Sequence, residues 1–153
     1  MSKKTGLFPG SFDPFTKGHE AVIVKSLDLF DEVVIGIGVN SSKKYMFSLE
    51  KRIAHINALF ENEDKISVKQ FQTLTVNFCK EVGASHIIRG LRDSKDFQYE
   101  KSIAHMNRDI SGIETVFFLT EQKYSAINSS IIREIHKNNG PIDSFVTKPH
   151  LLV

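Results

Sequence analysis

The segment GSFDPFTKGH, Gly10 to His19, concentrates groups that could handle a phosphate. Ser11, Thr16, Gly18 and His19 gather where a short apolar run ends and an apolar-periodic run begins. A glycine there lets backbone approach a ligand closely, and a helix N-terminus offers unpaired N–H groups and the positive end of a dipole. On residue types alone, His19 stays open between a partly buried helix residue and an anion-contacting group, and Asp13-Pro14 reads as a turn. Farther along, IIRGLR sets Arg89 and Arg92 three positions apart around Gly90, directly after a buried-looking strand, which favours anion binding. The run SSKK, Ser41 to Lys44, reads by itself as a solvated loop. Ser129 and Ser130 open a helix, where they can donate to phosphate or serve as its cap.

Several other chemistries are missing from the pattern. Neither the dinucleotide-binding fingerprint nor the P-loop spacing occurs, and Gly36 and Gly38 read as tight packing inside a strand. There is no carboxylate pair, no Ser-His-Asp arrangement and no zinc-ligand spacing. His55, His86, His105, His136 and His150 are scattered and read as structural or surface residues.

Strand-like and helix-like runs alternate between these clusters and must position them. TGLF (Thr5 to Phe8), EVVIGIGV (Glu32 to Val39), KISVKQF, HIIRG (His86 to Gly90) and ETVFFLT read as five strands. Helices are predicted over His19 to Phe30, over Ser48 to Phe60, across TVNFCKEV and from about Asp96 to Asp109. In the second of these, Ser48 is the N-cap and Leu49, Ile53, Ile56 and Phe60 share a face. A last helix runs from a serine cap to Asn139-Gly140, and the tail from Pro141 reads as irregular with room for one short turn. Repeated β-then-α units predict an α/β fold: a doubly wound, parallel five-stranded sheet with right-handed crossovers, in one domain over residues 1–153. Ligands in such sheets bind outside the carboxyl ends of the strands. The loops found there, 9–17, 40–47, 72–74, 89–96 and 120–129, hold nearly every cluster described above.

The bulk composition is that of a globular protein with room for one real core in 153 residues. A net charge of +2 gives no case for a nucleic-acid or membrane partner. The lone Cys79 cannot form an internal disulfide, lies in an apolar helical context and fits a reducing compartment. No leader and no long apolar run is seen, so a cytoplasmic protein is expected.

The order and spacing of the motifs carry a resemblance that no single motif would. GSFDPFTKGH is similar to the first signature of the nucleotidylyltransferase superfamily, here Thr16-Lys17-Gly18-His19, and INSSIIR (Ile127 to Arg133) to its second. SKKYMF (Ser42 to Phe47), IIRGLR and DFQYE (Asp96 to Glu100) resemble the bacterial phosphopantetheine adenylyltransferase family in particular. The resemblance implies a Rossmann-like enzyme that joins the phosphate of 4′-phosphopantetheine to the α-phosphorus of ATP, releasing pyrophosphate. It also implies a homohexamer and a magnesium ion (Mg2+) carried mainly by ATP oxygens.

Residue roles follow from the same resemblance. His19 and Ser11 would stabilise the transition state at the α-phosphate, and Phe12 would offer its backbone N–H to ATP. The ATP side would further comprise Gly90, Leu91, Arg92 and Glu100, and the run Tyr124, Ser125, Ala126, Ile127, Asn128, Ser129 and Ser130. Lys43 and Arg89 would hold the acceptor's phosphate, with Ser11 and Thr75 on the same side and Leu74 beside the pantetheine channel. Ser11 stands where threonine is commoner, and Asn128 where the second signature has the first of its three serines. The acceptor's phosphate is already largely ionised at neutral pH, its second pKa being about 6, so in-line attack needs no general base. Two alternatives are a nucleotidylyltransferase acting on nicotinamide mononucleotide or glycerol 3-phosphate, and a non-catalytic nucleotide-binding module.

Overall fold

Val33, Val34, Ile35 and Ile37 are all buried, so the strand that contains them is covered on both faces. That strand, β2 (Glu32–Gly38), lies in a parallel sheet with β1 (Thr5–Gly10), β3 (Ile66–Phe71), β4 (His86–Leu91) and β5 (Glu114–Leu119). The computed structural model, which describes residues 2–153, orders the strands β3-β2-β1-β4-β5. The predicted doubly wound sheet is therefore observed.

Side-chain alternation along the strands sorts the core onto two faces. Phe8, Ile35 and Ile88 join Val22 and Ile23 of helix α1 (Lys17–Ser26) and Ile56 of α2 (Leu49–Leu59). Their neighbours Leu7, Val34 and Ile87 point the other way, onto Val76, Phe78 and Cys79 of α3 (Thr75–Val82). Burial pushes the Cys79 thiol up to about 11, so it is a packed apolar group rather than a nucleophile. Helix α4 (Ser94–Ser111) buries none of its residues. It begins two residues before the predicted start because Asp93 caps it, accepting the N–H of Asp96 at 2.9 Å. Helix α5 (Ser129–Lys137) packs Ile132 against Phe47 and against Ile142, Val146 and Leu152 of the C-terminal segment. The tail read as irregular is thus part of a third apolar cluster and ends in a 3₁₀ turn at Pro149–Leu151.

One departure concerns the cap of α5. It is not a serine but Asn128, whose Oδ1 accepts from the N–H of Ser130 at 2.8 Å and of Ile131 at 3.3 Å. An amide oxygen on a short stem reaches those two N–H groups together, which leaves Ser129 and Ser130 inside the first turn.

The sheet is unevenly zipped. β1 pairs with β2 from Thr5↔Glu32 through Gly10↔Ile37, but with β4 only at Gly6↔His86 and Leu7↔Ile87. Beyond Leu7 the two central strands separate, and a crevice opens at their carboxyl ends. This is where strand order reverses, the place such sheets bind ligands.

Candidate active site

The imidazole of His19 is fixed from behind. Thr16 caps α1: its Oγ1 accepts the His19 N–H at 3.2 Å, and its own backbone N–H donates to His19 Nδ1 at 2.9 Å. Because Nδ1 accepts, the ring proton of the neutral imidazole resides on Nε2, which has no partner among the described residues. Phe8, Phe12 and Phe15 enclose the ring, with centroids 6.0, 5.0 and 5.2 Å away. Burial, and then the charges of Arg89 and Arg92, lower its pKa from 6.5 to about 3. In the ligand-free protein His19 is a neutral donor.

Loop 11–16 is tied down at several points. Asp13 is buried, and its carboxylate accepts the N–H of Met46 at 2.8 Å and of Phe47 at 2.9 Å. The Asp13 carbonyl accepts from Nη1 of Arg133 at 2.9 Å, whose Nη2 donates to Ser130 Oγ at 3.0 Å. Ser129 Oγ donates to the Pro14 carbonyl at 3.1 Å. The two nucleotidylyltransferase-like signatures therefore touch, although 115 residues separate Pro14 from Ser129. Asp13, expected only to turn the chain, also joins the β1–α1 loop to the β2–α2 loop. Arg133 was not among the expected site residues; its position one helical turn from Ser130 was the available signal.

Charged side chains surround the crevice. Arg89 on β4 donates Nε to Glu100 Oε2 at 2.9 Å, Nη2 to Glu100 Oε1, and Nη1 to the Pro9 carbonyl at 2.8 Å. The last of these bonds spans the gap between the separated strands. Arg92 donates Nε to Asp96 Oδ2 at 2.9 Å and Nη1 to the Ile127 carbonyl at 3.0 Å. Lys43 Nζ donates to Ser11 Oγ at 3.3 Å.

Two cavities meet here. One, of about 380 Å³, is lined by Ser11, Phe12, His19, Gly90, Arg92, Tyr124, Ile127, Asn128, Ser129, Ser130 and Arg133. The other, of about 680 Å³, is lined by Asn40, Tyr45, Gln72, Thr75, Tyr99, Ile103 and Asn107. Pro9, Gly10, Ser11, Lys43, Arg89 and Glu100 belong to both. Most expected site residues are thus gathered at one place, while Leu91, Ser125, Ala126 and Leu74 line neither cavity. A Cβ on Gly90 would come within 2.8 Å of Val22 Cγ2, so glycine there lets β4 lie close against α1.

The chemistry open to this arrangement is restricted. Each carboxylate lining the crevice is already an acceptor: Asp13 from two backbone N–H groups, Asp96 from Arg92, Glu100 from Arg89. The basic nitrogen of His19 is turned to the helix start. What faces the crevice is donors and cations, the equipment for holding anions and stabilising charge that develops on them. Among the described residues, no three His, Cys, Asp or Glu side chains are grouped to hold a metal ion, and no helix is long and apolar enough to cross a membrane.

Comparison with known proteins gives three findings. Residues 7–135 match the family model described as cytidylyltransferase-like. The phosphopantetheine adenylyltransferase of Flavobacterium psychrophilum is 51% identical over 90% of this chain and 91% of its own. That of Flavobacterium johnsoniae is 50% identical over 94% of each, and that of Bacteroides fragilis 43% identical over 95% of this chain and 97% of its own. A Vibrio parahaemolyticus crystal structure, provisionally assigned as a nicotinate-nucleotide adenylyltransferase, superposes with a TM-score of 0.71 over 98% of this chain and 96% of that one. At 18% identity, that likeness is one of fold.

Proposed function

Since the chain belongs to the cytidylyltransferase-like family and, within it, to the phosphopantetheine adenylyltransferases, we propose that it transfers the adenylyl group of ATP to 4′-phosphopantetheine. The products are dephospho-coenzyme A and pyrophosphate. One observation carries this reading: two cavities share a wall made of Ser11, Lys43 and Arg89, so two phosphorylated molecules can meet at a common set of donors.

ATP occupies the smaller cavity, along Arg92, Tyr124 and the first turn of α5, where the positive end of the helix dipole suits phosphate. The acceptor occupies the larger one, with its phosphate between Lys43 and Arg89 and its pantetheine arm toward Thr75. A phosphate oxygen attacks the α-phosphorus in line, the bond from that phosphorus to the bridging oxygen breaks, and pyrophosphate departs with the electron pair. The attacking oxygen carries no proton to remove, and the engaged carboxylates and inward-turned Nδ1 of His19 support a mechanism without a general base. Nε2–H of His19 and the Ser11 hydroxyl donate to the oxygens on which charge grows. Magnesium, carried by ATP oxygens rather than by protein ligands, would supply neutralisation of phosphate charge. The exposed apolar side chains of α4, among them Met106 and Ile110, support self-association, and the homohexamer of the resemblance is the state proposed.

Pyrophosphate release from ATP and magnesium, compared across 4′-phosphopantetheine, nicotinamide mononucleotide and glycerol 3-phosphate, tests the assignment. Turnover is expected with the first alone. Faster turnover with another acceptor would reassign the substrate, and ATP binding without turnover of any would make the protein a binding module.

A further inference from the structure

Arg52 is the largest fully buried side chain of the protein, only 2% exposed, and among the described residues it forms no ion pair. A buried guanidinium without a contacting carboxylate is costly, and an apolar side chain of similar length would fill a helix–sheet core more cheaply. Its bonds run to two loops instead. Nε donates to the Phe47 carbonyl at 3.0 Å, and Nη1 to the Ser11 carbonyl at 2.6 Å. The ring of Tyr45 lies 4.2 Å from the guanidinium carbon. The Tyr45 hydroxyl in turn accepts the Asn40 N–H at 3.0 Å, so the stacked ring braces the start of the same loop.

Asp13 completes the arrangement from the opposite side. The N–H of Phe47 goes to the Asp13 carboxylate and its carbonyl to Arg52, so this one residue is gripped at both ends. Burial disfavours the Arg52 charge, while Asp13 and Tyr45 act to sustain it. The loops held in this way carry Ser11 and Lys43, whose side chains stand 3.3 Å apart.

We infer that Arg52 is a positioning residue for the acceptor's phosphate: by holding the Ser11 and Phe47 carbonyls on one rigid fork, it sets the separation of Ser11 and Lys43. It touches neither cavity and acts through those two residues. The inference rests on the reading that the shared wall receives that phosphate. It predicts a one-sided effect, because the nucleotide is held chiefly by Arg92 and the α5 turn, which Arg52 does not contact.

The test compares wild type with Arg52→Met and Arg52→Lys by two measurements. Amide hydrogen exchange in the ligand-free protein should quicken across residues 40–47 in Arg52→Met, while β1, β2 and β4 stay protected. In steady-state pyrophosphate release, kcat/KM for 4′-phosphopantetheine should fall by up to about 10²-fold, the scale of a small misplacement of reacting groups, with the Kd for ATP little changed. Arg52→Lys keeps the stem and charge but cannot serve two carbonyls as a planar fork, so it should show the same one-sided change in smaller degree. That variant carries the test if Arg52→Met does not fold. Unchanged exchange over 40–47, or equal losses for ATP and acceptor, overturns the inference. A wild type that turns over no phosphopantetheine overturns the activity reading, and the exchange measurement, which needs no substrate, then decides the clamp by itself.

Discussion

Glu100 grips both Nε and Nη2 of Arg89, so the guanidinium in the wall common to the two cavities meets a substrate as half of a pair. The two partners should therefore fail differently. Arg89→Ala removes the charge and should raise the KM for the acceptor far more than that for ATP, on the scale of about 1.5–3 kcal/mol per charged hydrogen bond lost. Glu100→Gln leaves the cation but loosens its aim, and should lower kcat with a smaller change in acceptor KM. Steady-state kinetics with each substrate varied reads this split. Equal KM increases in the two variants would make Glu100 a direct substrate contact rather than a brace.

His19→Ala should keep the fold and lower kcat by the equivalent of one lost transition-state donor, roughly 2.7–4 kcal/mol. The acid limb of the pH–rate profile should stay where the acceptor's phosphate loses its second proton, near pKa of about 6, in wild type and variant alike. A limb that moves with the substitution would make the imidazole a base.

The same histidine should weaken the fold in acid. Its pKa is lowered from 6.5 to about 3, so between those values the unfolded chain binds a proton that the folded one refuses. Stability then rises with pH through that window and is lost as pH falls through it. His55, whose burial also lowers its pKa, adds the same sign. Urea midpoints across the window should fall less steeply for His19→Gln than for wild type. Parallel curves would mean that the folded imidazole titrates normally.

Asn128→Ala should cost about 1 kcal/mol of stability through loss of the α5 cap, whereas Asn128→Asp should retain most of it. Chemical denaturation of the two variants side by side checks this. An alanine variant as stable as wild type would show that contacts of Ser129 and Arg133 hold the helix start without the cap.

Legibility from sequence followed how local the controlling interactions are. Helix α3 occupies the predicted span, Thr75–Val82, because its apolar spacing and the left-handed Gly83 after it are written within a few residues. β1 runs two residues past its predicted end, to Gly10, because pairing with β2 continues there, and that depends on a strand about 27 positions away. The site loops were legible because ligand-facing residues in a parallel sheet must follow strand ends. The supports beneath them were not. Arg52 drew no reading and His55 only that of a structural or surface residue, since nothing nearby indicates carbonyls at Ser11 and Thr147 waiting to be bonded. Asp13 read as a turn former because its acceptors' partners, Met46 and Phe47, lie in another loop.

The unzipped stretch between the two central strands divides the labour of the chain. Nothing after Thr115 lines the larger cavity, and nothing between Lys43 and Arg89 lines the smaller. The wall that selects one reactant can therefore be rewritten at Asn40, Tyr45 and residues 71–75, with the shared Lys43 kept, without disturbing the wall that grips the other. A scaffold split along this seam lends itself to acquiring new partners while keeping its old leaving-group chemistry.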